Sequence, residues 1–292
     1  MRISSAIVLS LLASGVAGCG DSRISARPVS LAPSPLPTPA PQSTAVQVTG
    51  WVSDSAFRAL VDARVEVLDG PQAGTTATAD SEGHFSLTGS FDDATHFRAT
   101  REGHVDATGT LSPTCPTCVT TRRYIYFHLA VLSPPVDIAG DYTLTFIADS
   151  ACTDIPSELR TRTYAATIAP GSNSHSPAHT YFIVTVSGAS FLTDYGSFPI
   201  GVAGDFLAFE LRGEGPYLVE QVAPNTYLGF DGRAEASVAT ARVSSIATPF
   251  QGFVDYCALP SPMGQYYDCR PGLATAHAEC ESKNHQLILT RR

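Results

Sequence analysis

The chain has 292 residues, with 27 Asp and Glu against 18 Lys and Arg, for a formal net charge of −9. With no basic run longer than a pair such as Arg122-Arg123, that balance supplies no cationic stripe for phosphates and argues against nucleic acid as a partner. Thr, Ser, Val, Gly and aromatic residues dominate, turn residues recur about every 8–12 positions, and periodic helix formers are scarce, so an all-β protein is expected.

At the N-terminus, Arg2 precedes an uncharged run of apolar and small residues from Ile3 to Val16. It is followed by Ala17-Gly18-Cys19 and the polar Gly20-Asp21-Ser22-Arg23. The run is shorter than the roughly 20 residues of a membrane-crossing helix and has the anatomy of a secretory signal. Val16-Ala17-Gly18-Cys19 resembles the lipobox of bacterial lipoproteins, in which an aliphatic and two small residues precede the cysteine that becomes the lipid-bearing mature N-terminus. Val16 stands where that family more often has leucine. The resemblance implies a signal peptide at 1–18, lipidation of Cys19, export, and anchoring by lipid to the cell envelope on its periplasmic or cell-surface face. Residues 19–45 follow as a tether. Pro28, Pro33, Pro35, Pro37, Pro39 and Pro41 stand among Ser, Ala and Thr, a composition that cannot bury a core and favours extended polyproline II. At roughly 3.1 Å per residue, residues 20–45 reach about 80 Å at full extension.

Residues 46–132 are expected to form a β-sandwich of about seven strands, each alternating between an inward and an outward face. The runs are Val46–Val52, Ala63–Val67, Thr75–Ala79, Phe85–Leu87, His96–Ala99, His104–Leu111 and Tyr124–Leu129, the last with Ile125, Phe127 and Leu129 on one face. Asp80-Ser81-Glu82-Gly83 is a hairpin turn. Trp51 is expected to pack within its own domain. Val48-Thr49-Gly50-Trp51-Val52, Asp62-Ala63-Arg64-Val65, Asp80-Ser81-Glu82-Gly83-His84-Phe85 and Gly103-His104 together resemble the carboxypeptidase regulatory-like family. That resemblance implies a transthyretin-like sandwich and a binding or scaffolding role. The chain departs from the family pattern at Asp62, at His104 and at Ala79. It also lacks the zinc motifs of a metallocarboxypeptidase and the Tyr-Arg-Gly-Ser ending of transthyretin-like hydrolases.

Residues 133–138 read as a hinge and 139–292 as a second, antiparallel β domain of eight to ten strands, a barrel or a second sandwich. Extended runs from which these strands are drawn lie at 140–146, 163–168, 181–186, 189–192, 198–202, 206–211, 217–222, 227–229, 234–241, 246–256 and 286–289, with a helical turn near Pro156. An opening Gly140-Asp141-Tyr142, a short helix, a meander and a basic end resemble lipocalin-like barrels, although the tryptophan usual there is absent.

The chain has seven cysteines. With Cys19 lipidated the other six can pair in an exported protein. Cys115-Pro116-Thr117-Cys118 lies between strand-like runs, where a small loop-pinning disulfide is expected rather than a redox or zinc site. Cys152, Cys257, Cys269 and Cys280 allow three pairings. Cys257–Cys269 with Cys152–Cys280 is preferred, because it closes a local loop and ties the start of the domain to its end.

No Gly-x-Ser-x-Gly elbow, zinc-protease motif or calcium loop is present, so no catalytic residues, metal or cofactor are expected. The dispersed histidines, including His175, His179, His277 and His285, read as solvated or hydrogen-bonded. Tyr256, Tyr266 and Tyr267, around the Cys257–Cys269 segment, are the candidate ligand-binding residues. The sequence therefore suggests a non-enzymatic, lipid-anchored protein presenting two β domains to a carbohydrate or an envelope protein. The alternative is a carrier of a small hydrophobic ligand inside the C-terminal barrel.

Overall fold

Alternation of apolar and polar residues becomes strand structure through nearly all of the computed structural model, which describes residues 46–111, 122–172, 177, 179–212, 218–238, 243–264, 267–269 and 272–292. Cys19, the tether, Cys115, Cys118 and Tyr266 lie outside the described residues.

The N-terminal sandwich contains β1 (Val46–Asp54), β2 (Arg64–Val67), β3 (Thr76–Thr78), β4 (His84–Gly89), β5 (His96–Thr100), β6 (Ala107–Thr110) and β7 (Arg122–Leu129). One sheet has the order β4-β1-β7 and the other β3-β2-β5-β6. In β1, Val48 and Val52 point inward and meet Phe85, Leu87, Ile125, Phe127 and Leu129 of their own sheet and Val65, Val67, Phe97 and Ala99 of the facing one. Each of these side chains larger than alanine contributes about 1.5–3 kcal/mol by leaving water. The turn before β4 follows the chemistry of its residues. Asp80 Oδ1 accepts the backbone N–H groups of Glu82 and His84, both at 2.9 Å. Gly83 sits at φ +78°, where a Cβ would lie 2.5 Å from Val52 O. A side chain there would be strained twice over, by conformation and by contact.

The C-terminal domain contains β8 (Gly140–Ile147), β9 (Thr161–Pro170), β10 (Tyr181–Ser187), β11 (Phe191–Ala203), β12 (Phe206–Glu210), β13 (Leu218–Ala223), β14 (Thr226–Ser237), β15 (Ser245–Ala258) and β16 (Ala276–Arg291). Consecutive strands other than β12 and β13 pair antiparallel, and β16 returns to β8, with Leu289 opposite Leu144. The β12 strand pairs with the second half of β11 (Ile200 opposite Phe209) and β13 with its first half (Phe191 opposite Glu220); both pair with β14. Lying end to end and running the same way, they fill one position, and an eight-stranded closed barrel results. Tyr142, Leu144, Phe146, Ile168, Val184, Phe230, Phe250 and Leu287 belong to one buried cluster. Within it Phe146 stacks on Phe230 at 4.5 Å and meets Phe250 edge-on at 5.6 Å.

Three strands are longer than the sequence pattern suggests. The expected runs 189–192 and 198–202 are one strand, β11, as are 227–229 and 234–241, whose described part is β14. Turn-type residues such as Gly196, Asp231 and Gly232 lie inside these strands, where Gly196 pairs with Leu218, Asp231 with Phe253 and Gly232 with Gly252. The run 286–289 extends back to Ala276, through a charged stretch that lies against β15. The helical turn near Pro156 is a 3-10 turn at Ser157–Leu159.

The turn from Asp54 to Arg58 docks the sandwich onto the barrel. Asp54, 1% exposed, accepts the N–H groups of Ala56 (2.8 Å) and Arg58 (3.0 Å) through Oδ1 and the Arg58 Nε–H (2.6 Å) through Oδ2. Ser55 Oγ donates to Val202 O at 2.6 Å, and the Arg58 guanidinium lies 4.1 Å over the Phe206 ring. Gly201 makes the approach possible, since a Cβ there would stand 2.5 Å from Ser55 O. The segment 133–138 also binds the barrel: Val136 N–H donates to Gly204 O at 2.9 Å, and Ile138 is fully buried in the barrel core.

Two disulfides join Cys152 to Cys280 and Cys257 to Cys269. Beside the first, His285 is 1% exposed. Its Nδ1 accepts the Asp149 N–H at 2.9 Å and its Nε2 lies 3.2 Å from Gly252 O, so a neutral ring protonated on Nε2 satisfies both. Burial lowers its pKa below the ordinary 6.5. The unfolded chain therefore takes up this proton first as pH falls, and stability drops below about pH 6.5. The urea midpoint is expected to be lower at pH 5 than at pH 7, with a smaller difference in His285→Gln. An undiminished difference in that variant removes His285 as the cause.

Candidate functional site

The outer face of β4-β1-β7 carries the most exposed aromatic group in the sandwich. Parity puts it there: Val48, Gly50 and Val52 face the core, so Thr49, Trp51 and Ser53 face out. On β7, Ile125 and Phe127 face in, and Tyr124 and Tyr126 face out at 42% and 41% exposure. The parallel register sets Trp51 opposite Tyr126 and Thr49 opposite Tyr124. The Trp51 and Tyr126 rings lie parallel within 4°, with centroids 5.2 Å apart; Tyr124 lies within 13° of Trp51 at 6.4 Å. From β4, His84 meets Trp51 edge-on at 4.7 Å. A cleft of about 530 Å³ opens beside the rings, lined among others by Thr49, Trp51, Asp80, His84, Ser86 and Tyr124. Toward the barrel the face continues through Ser53, whose Oγ is 2.7 Å from His128 Nδ1, and Phe57, edge-on to the His128 ring. Trp51 thus stands on the outer face, not inside the domain as expected. The signal was in the sequence: Trp51 has the parity opposite to Val48 and Val52.

The second group surrounds the Cys257–Cys269 loop. Tyr267 Oη donates to Asp255 Oδ2 at 2.5 Å, and its backbone N–H reaches Tyr195 Oη at 3.2 Å. His277 Nε2 lies 3.1 Å from the other Asp255 oxygen. The loop covers Tyr227, which is 1% exposed and accepts the Met263 N–H at 2.8 Å. Burial pushes the Asp255 carboxyl up, opposed by Tyr267 and His277, and pushes the Tyr267 phenol far up, so the phenol stays a donor. Asp231, Phe253, Asp255, Tyr267 and Glu279 line a cleft of about 300 Å³. Asp255, His277 and Cys269 place potential ligand atoms within 4.8 Å of one another, but the Cys269 sulfur is bonded to Cys257 and offers no thiolate.

Of the three expected tyrosines, Tyr267 lies on this outer wall, half-buried. Tyr256 does not join it: strand parity sends it inward with Phe250 and Val254, against the barrel core. Asp92 is occupied as a turn residue, its Oδ1 accepting from Ala94 N–H at 3.1 Å and Thr95 Oγ1 at 2.8 Å.

Among the described residues no helix is long and apolar enough to cross a membrane. Neither a protein-family model nor a curated protein matches the chain. Among solved structures it is similar to a chain from Bacteroides fragilis described as a membrane-associated protein of unknown function. The identity is 9%, the TM-score 0.23, and the match covers 85% of this chain and 98% of that one. A likeness of that size carries no argument about function.

Proposed function

We propose that the chain is a tethered, non-enzymatic envelope protein that binds a carbohydrate on the outer face of β4-β1-β7. The observation that carries this reading is the ladder of Trp51, Tyr126 and Tyr124 beside a cleft of about 530 Å³. A sugar ring presents an apolar C–H face that stacks on an aromatic ring, and its hydroxyls need donors and acceptors around the rim. Here the rim is Thr49, Asp80, His84 and Ser86. The resemblance of residues 46–132 to carboxypeptidase regulatory-like domains supports a binding role, and the lipobox-like Cys19 with its proline tether supports presentation from a lipid surface. Packed aromatics in the barrel interior favour this surface over an interior ligand site.

The chain has one tryptophan, so its fluorescence reports this face alone. Titration with a panel of envelope oligosaccharides is expected to shift the emission. Calorimetry on Trp51→Ala is expected to show at least a tenfold loss of affinity, the loss of a stacking contact of about 1.4 kcal/mol. A panel that leaves the emission unchanged, or a variant that binds as the parent does, overturns the reading.

A further inference from the structure

We propose that a second cleft, on the outer wall of the barrel, binds a small anionic group, a carboxylate or phosphate carried on a compact ligand. It has a volume of about 430 Å³ and is lined by Arg212, Arg233, Glu235, Thr248, Pro249, Gln251 and Lys283. Four neighbouring parts of the fold build it. Arg212 follows the end of β12, Arg233 and Glu235 lie on β14, Pro249 and Gln251 on β15, and Lys283 on β16. Arg233 stands directly opposite Gln251. Phe250 pairs with His285 but Gly252 pairs with Ser282, so an extra residue bulges from β16 at this point. The bulge is where the only lysine of the chain, Lys283, reaches solvent.

The charge is the telling feature. In a chain of net charge −9, three cations line this cleft against one carboxylate. Arg233 is held by Glu210 at 3.0 Å and Glu235 at 2.7 Å, so its charge is offset within the wall. Among the described residues, Arg212 and Lys283 form no ion pair or hydrogen bond. Arg212 feels the Glu210 and Asp231 carboxylates through space without pairing with either, and Lys283 is exposed, so both cations remain available to an anion held between them. Arg212 supplies a planar fork matched to carboxylate or phosphate oxygens, Lys283 a mobile point charge, and Gln251 an amide for a neighbouring hydroxyl. Pro249, without an N–H, lays a rigid apolar surface beside them. The volume suits one charged monosaccharide or a group of that size. This site is independent of the aromatic ladder, since none of the ladder residues lines it.

The test is calorimetric titration of the full chain with inorganic phosphate, glucose 1-phosphate, glucuronate and neutral glucose, at about 50 and 300 mM salt. Binding is expected for at least one anion and to be absent for glucose at this cleft, with affinity falling several-fold at the higher salt. The double variant Arg212→Gln/Lys283→Gln is expected to lose at least tenfold, each single variant part of that, and Trp51→Ala none. Both side chains are exposed, so the variants should melt with the parent. Preference between the phosphate and glucuronate arms tells which anion the cleft takes. Failure of every anion to bind, affinity indifferent to salt, or an unweakened double variant overturns the proposal, whatever the fate of the aromatic ladder.

Discussion

Replacing Cys152 and Cys280 together by serine is expected to lower folding stability by about 4–5 kcal/mol, the value for closing a loop of roughly 100 residues or more in the unfolded chain. The bond links positions 128 residues apart. It ties the segment after β8 to β16, the two strands whose pairing closes the barrel. Without it the unfolded chain gains freedom, and the closing seam has only its hydrogen bonds and side-chain packing. The Cys257–Cys269 bond closes a separation of 12, and its removal is expected to cost nearer 3 kcal/mol by the same relation. Urea unfolding of both double variants, under conditions that keep the other bond oxidised, measures the difference. A larger loss from the shorter loop contradicts the assignment of the Cys152–Cys280 bond as the main covalent brace.

The second large effect is expected from Arg162→Ala, at about 3–5 kcal/mol. Glu220, on β13, is 3% exposed and faces the barrel interior. Arg162, on β9, meets its carboxylate with two donors, Nε to Oε2 at 2.8 Å and Nη2 to Oε1, and Tyr164 Oη donates to Oε2 at 2.8 Å. Burial, with the carboxylate beside it, pushes the Tyr164 phenol well above its ordinary range, which keeps it a donor. Truncating Arg162 strands a buried carboxylate on one hydroxyl. Adding Glu220→Gln removes the stranded charge and should restore much of the loss at pH 7. A loss under 1 kcal/mol, or no recovery in the double variant, means that the network holds the barrel less firmly than its geometry indicates.

The sandwich was more legible than the barrel because its strands are short and separated by strong turn signals. Asp80 and Gly83 act locally, through an Asx turn and a positive φ, so the sequence reveals the hairpin without its surroundings. The barrel strands cross residues that read as breaks. Gly196, Asp231 and Gly232 continue their strands because a closed sheet gives every strand two partners. Local composition also could not foresee that β12 and β13 share one barrel position, since that depends on both pairing with β11 and β14. The same limit applies to the sites. The outward parity of Tyr124 and Tyr126 is a property of β7 alone. Their stacking on Trp51 requires the parallel pairing of β1 with β7, two strands about 75 residues apart in the chain.

By itself the sequence determined the all-β class, the order of a sandwich and a longer antiparallel domain, and the preference for the two C-terminal cysteine pairings. These follow from period-two patterning, turn chemistry and spacing, which act over a few residues or depend on cysteine number. The tertiary structure decided the rest. It closed the second sheet into a barrel and docked that barrel on the Asp54–Arg58 turn. It also turned Tyr256 inward and brought Arg212, Arg233 and Lys283 to one cleft. Each of these depends on which strand lies beside which, and register is set by packing between segments far apart in the chain.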